Sequence, residues 1–211
     1  MNMERSIVAQ AMSTRFDFTL HIRRLCDDMI ARLPELAHVD MTRVAVSFCQ
    51  ARKAVPHGIF ASLTPLRFAG GNPITTRRGR EVCVERVSDG SGREMLYILS
   101  FYLPRFQNLD FREKLITVLH EMWHISPNFD GDIRRHAGRY HAHTHSQAEY
   151  DEEMGRMVDR WMLKEPPESV YSFLRHDFRE LAARHGAIVG VKYRRPRIVP
   201  VAAPGAAAGA R

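Results

Sequence analysis

The sequence predicts an α+β fold: a small antiparallel or mixed sheet, one central helix carrying a polar motif, and trailing helices. Three observations carry this. Apolar residues recur at helical spacing in four stretches, β-branched and aromatic runs occupy the region between the first and second of them, and 45% of the 211 residues are apolar, enough for a sizeable core.

Over residues 16–33, Phe18, Ile22, Leu25, Met29, Ile30 and Leu33 share one helical face, and Pro34 stops the helix. Residues 43–48 and 59–68 read as strands, parted by a loop in which His57 follows Pro56. Residues 80–87 and 94–103 read as a hairpin about the turn Ser88-Asp89-Gly90-Ser91-Gly92. A helix then opens at Asp110, with Glu113 three residues on in a capping-box arrangement, and ends before Pro127. Residues 127–145 have no apolar period and form a loop. Ser146 to Glu149 is a capping box that opens the next helix, whose inward stripe is Tyr150, Met154, Met157, Val158 and Trp161, up to Pro166-Pro167. One more helix spans 169–185, burying Val170, Phe173, Leu174, Phe178 and Leu181, with Gly186 at C′ and a strand at 187–191 behind it. The domain is expected over 16–200, after a flexible start at 1–15 and before a disordered Ala/Pro/Gly tail at 201–211.

No run of 18 apolar residues occurs, and the opening Met-Asn-Met-Glu-Arg-Ser lacks the order of a secretory signal, so a cytoplasmic protein without a membrane partner is expected. Cys26, Cys49 and Cys83 are odd in number and never form C-x-x-C, which argues against a disulfide framework and a thiolate metal site. The net charge of +7 favours a polyanionic partner such as nucleic acid. Its basic residues cluster at Arg23-Arg24, at Arg77, Arg78 and Arg80, at Arg134, Arg135 and Arg139, and at Lys192, Arg194, Arg195 and Arg197.

Chemistry is stated by His120-Glu121-Met122-Trp123-His124. Residues four apart on a helix lie about 40° apart around its axis, so both imidazoles can reach one metal ion. Glu121 then sits beside that ion, where a carboxylate can take a proton from water without binding metal. Leu115, Val118, Leu119 and Met122 make the apolar face, while Glu113, Thr117, His120 and His124 form a polar row expected to be buried against a metal and its water.

A catalytic zinc takes three protein ligands, so one more is needed. Asp130 lies six residues after His124, as in H-E-x-x-H-x-x-G-x-x-H/D proteins, though Pro127 stands where that pattern has glycine. His136 lies far enough on for the chain to leave the helix, turn through Asp130-Gly131-Asp132 and return. His141, His143 and His145 alternate, which in an extended segment puts all three on one side.

The segment from His120 to Arg135, with the His-rich loop and Tyr150-Asp151 after it, resembles the phage-type metallopeptidases, a zincin group similar to SprT-like proteases. The likeness is clearest over 110–160. It implies a minimal zincin domain and a third ligand that is a histidine a dozen or more residues after the second, followed closely by glycine. His136-Ala137-Gly138 approximates that pattern, with His143 as second choice and Asp130 after it. The expectation is thus a peptidase with one Zn²⁺ per chain on His120, His124 and His136, and Glu121 as general base. Tyr140, Tyr150 or a spare loop histidine would face the oxyanion. The rival is a non-catalytic, phage-derived nucleic-acid-binding module that uses the metal only to fix its loop.

Overall fold

The computed structural model describes residues 15–51, 58–135 and 147–201, except for the side chains of 147–151. The fold is α+β. Its elements are β1 (Phe16–Asp17), α1 (Phe18–Arg32), β2 (Val44–Gln50), β3 (Ala61–Pro65), β4 (Ile74–Arg77), β5 (Arg80–Val84), β6 (Tyr97–Leu103), α2 (Phe111–Trp123), α3 (Gln147–Leu163), α4 (Glu168–Tyr171), α5 (Phe178–His185), β7 (Ile188–Val189) and β8 (Ile198–Pro200). Among the described residues no helix is long and apolar enough to cross a membrane.

The main sheet has the order β2-β6-β3, with β2 parallel and β3 antiparallel to β6. Alternation along each strand divides its side chains between two faces. Val44 and Val46 of β2, Leu99 and Phe101 of β6, and Ala61 of β3 join the main core, into which α1 and α2 send Phe18, Ile22, Leu115 and Val118. The opposite face carries Ala45 and Ile98, which pack with Leu66 and Met95, beside the hydroxyls of Ser47, Ser62, Thr64, Ser100 and Tyr102. Of the predicted stripes, Phe18, Ile22, Leu25, Met29 and Leu33 of the first helix and its C-cap are buried while Ile30 is half-buried, and Met154, Met157, Val158 and Trp161 of α3 are buried, with Met154, Met157 and Trp161 fully inaccessible. Trp161 also donates its indole N–H to Asp28 at 2.9 Å, tying α3 to α1.

The predicted hairpin of 80–87 with 94–103 is corrected. Its turn does close, with a bridge between Ser88 and Glu94, but the two strands then enter different sheets. β6 is buried on both faces and belongs between β2 and β3, whereas β5 buries only Val82. β5 pairs instead with β4 through the two-residue turn Arg78-Gly79, both at positive φ (51° and 74°), and with β8 on its other side. Strands β1, β4 and β8 were not predicted; the closing strand is shorter than expected and runs parallel to β1.

The single helix expected over 169–185 is also corrected, since it breaks between Arg175 and Phe178. Asp177 caps α5 by accepting from the Glu180 N–H at 2.8 Å, and Glu180 returns the bond to the Asp177 N–H at 3.0 Å. The carbonyls freed by the break are taken from outside. Lys114 of α2 donates to Leu174 O and His176 O at 2.8 and 2.9 Å, and Gln107 donates to Phe173 O and His176 O. Gly186 ends α5 at φ 69°, as its predicted C′ role requires.

Candidate metal centre

Helix α2 begins after Asp110, whose extended backbone marks the N-cap, but the expected capping box is not formed: the Asp110 side chain makes no cap bond. Leu115, Val118, Leu119 and Met122 are fully buried. The polar row is not. Glu113 is exposed, Thr117, His120 and His124 are half-buried, and Glu113, Thr117, His120 and Glu121 line an open cleft of about 360 Å³ whose far wall is 58–61. The expected full burial of the row is thus corrected.

His120 and His124 converge, with their Nε2 atoms 3.0 Å apart and their ring planes at 77°. Two imidazole nitrogens at ~2.0–2.1 Å from one tetrahedral zinc lie about 3.3 Å apart. The pair therefore needs only a few tenths of an ångström to straddle such an ion. Beside them Glu121 Oε2 accepts the Leu63 N–H of β3 at 2.7 Å. Burial pushes the Glu121 carboxyl up to about 7, with the Leu63 bond pulling the other way.

That bond also fixes which way β3 presents its backbone. Tyr102 N–H donates to Phe60 O, and Leu66 N–H to Leu96 O, so even-numbered residues pair with β6. Ala61, Leu63 and Pro65 direct their backbone groups away from the sheet, along the edge that borders the cleft.

Beyond His124 the chain doubles back. Ile125 bridges Ile133, the Arg134 N–H donates to His124 O at 2.7 Å, and the Arg134 Nε donates to Trp123 O while its guanidinium lies 4.0 Å from the Trp123 ring centroid. Tyr97 of β6 anchors the turn from beneath, accepting the Gly131 N–H and donating to Asp132 O, both at 2.9 Å. Gly131 has φ 88°, and a Cβ there would lie 2.6 Å from Arg67 Cγ, so glycine is required. The Asp132 carboxylate gathers the N–H groups of Gly70 and Ile133 and both arms of Arg135. Sequence reading missed Tyr97 and Asp132. The one signal for Tyr97 was a hydroxyl at a core position of an apolar strand.

Asp130 does not join the histidines. It packs against Gly71 and accepts the Asp132 N–H, and among the described residues no group of three or more His, Cys, Asp or Glu side chains is placed to hold a metal. His57, His136, Tyr140, His141, His143 and His145 lie outside the described residues, as does the Tyr150 side chain. No protein-family model matches this sequence, and no curated protein or solved structure matches it either.

Proposed function

We propose that this chain is a zinc-dependent peptidase of the His-Glu-x-x-His type, similar to the SprT-like and phage-type zincins, with one Zn²⁺ held by His120, His124 and His136. The observation that carries the reading is the 3.0 Å convergence of two Nε2 atoms beside the sheltered carboxylate of Glu121. Nitrogen donors at this separation suit a borderline ion such as Zn²⁺. His136 is favoured by chain geometry. Arg134 is hydrogen-bonded to the His124 carbonyl, and two further residues span at most about 7 Å.

Bound Zn²⁺ supplies Lewis-acid polarisation of a carbonyl and brings the pKa of a water toward ~7. Glu121 takes the proton from the attacking water and passes it to the leaving amine. Burial raises its carboxyl, and a Zn²⁺ bound beside it would oppose that shift and favour the carboxylate that acts as base. Leu63 holds one carboxylate oxygen, and the other is assigned to the proton. The outward backbone groups of Ala61 and the outward carbonyl of Leu63, whose N–H is taken by Glu121, favour an extended peptide laid along β3 as an added strand.

The test is Glu121→Gln, assayed for zinc content and for cleavage of an unfolded protein substrate. Zinc is retained and turnover falls by about 10²–10⁴, the usual worth of a general base. Unchanged turnover removes Glu121 from the mechanism.

A further inference from the structure

The second face of the main sheet has no role in the proposed hydrolysis, yet it floors the larger cavity. This groove, about 520 Å³, is bounded by Lys192, Arg194 and Arg195 on one side and by Ser62, Thr64, Ser100 and Tyr102 on the floor. None of its described lining residues is a carboxylate. The basic segment is held in place by its backbone: Phe48 N–H donates to Val191 O at 2.7 Å, and Tyr193 N–H to Ser47 Oγ at 3.0 Å. The side chains of Lys192, Arg194 and Arg195 are left exposed and form no ion pair with a described residue, whereas Arg197 beyond them pairs with Glu85.

The other basic clusters are employed differently. Arg23 donates to the carbonyls of Met41 and Val44, Arg134 to that of Trp123, and Arg135 grips Asp132. Arg77, Arg78 and Arg80, by contrast, are exposed on the β4–β5 hairpin, whose sheet also holds β8, the strand that follows the basic segment. A second cavity of about 300 Å³ lies against this same segment and adds Glu85, Arg86 and Arg197, the two arginines being paired with Glu94 and Glu85.

We propose that this groove binds a single strand of nucleic acid, with Lys192, Arg194 and Arg195 on its phosphates and its bases against the hydroxyl-rich floor and Tyr102. Unpaired cations, hydrogen-bonding hydroxyls and an aromatic side chain are the elements such a strand requires. The groove is too small for a duplex to enter. It meets the cleft of the metal centre at Ile59, which lines both, but the inference does not depend on zinc or hydrolysis.

The test is fluorescence anisotropy of the full chain with a labelled oligothymidylate over a range of salt. Wild type binds with an affinity that falls as salt rises. Replacing Lys192, Arg194 and Arg195 together with Ser lowers the magnitude of the log–log slope by about 2, at about 0.7 per phosphate contact on a single strand. Tyr102→Leu weakens binding about tenfold, as loss of one base–aromatic stack would. Melting curves check that both variants remain folded. No binding at low salt, or a triple variant that binds like wild type, overturns the proposal. So does displacement of the labelled strand by polyglutamate or by duplex as readily as by unlabelled oligothymidylate, because the groove would then be reading charge alone.

Discussion

Lys114 sits on the helix that carries both histidines, yet only 2% of its surface is exposed. Burial lowers its ammonium from 10.5 to about 8, with Asp177, Glu180 and Asp110 opposing the shift. The difference of about 2.5 pH units corresponds to roughly 3 kcal/mol at 1.36 kcal/mol per unit. The sign follows from proton counting. Below pH 8 the amine is protonated in both the folded and the unfolded chain, and the whole cost of burying the charge is present. Between about pH 8 and 10.5 the folded chain has released that proton while the unfolded chain keeps it, so this group makes stability rise with pH. Lys114→Met removes the titration. Urea denaturation of both proteins at pH 7.5 and pH 10.5 should therefore show wild type gaining about 2–3 kcal/mol relative to the variant over the interval. A difference that stays flat would mean that the amine is solvated and that its bonds to Leu174 O and His176 O are not the buried clamp described here.

Further outcomes concern the metal centre. His120→Ala and His124→Ala should each lose the zinc carried by wild type, and elemental analysis showing full retention in both would remove the site. In a chelator competition titration His136→Ala should weaken zinc binding far more than Asp130→Ala, whose carboxylate already serves the 130–132 turn; damage from His143→Ala instead would move the third ligand while leaving the motif in place. Tyr97→Phe should cost about 1–3 kcal/mol, because the Gly131 N–H and Asp132 O lose their buried partner, and thermal melting checks it.

Much of this was legible in the sequence because it is local. The periodicity of Leu115, Val118, Leu119 and Met122 identified the buried face of α2, though not that the polar row beside it borders an open cleft. The break before Phe178 was also written locally, in Asp177-Phe178-Arg179-Glu180, but the apolar spacing on either side of it masked the capping box. What the sequence left open is set by partners distant along the chain. That β6 is buried on both faces is written in the near-continuous apolar run from Met95 to Leu103, but that it pairs with β2 and β3 rather than with its hairpin neighbour is not local. The Leu63 bond to Glu121, the Tyr97 anchor and the return of Arg134 to His124 join residues 58, 34 and 10 positions apart. The groove beneath Lys192 to Arg195 required knowing which face of the sheet that segment crosses.

The most direct test of the central claim is a crystal structure of the zinc-loaded chain in which the ligands are counted. The account predicts one ion on His120 Nε2, His124 Nε2 and a third histidine, His136, with a water in the remaining position and Glu121 beside it rather than bound. Four protein ligands closing the site, or zinc seated away from His120 and His124, would contradict it.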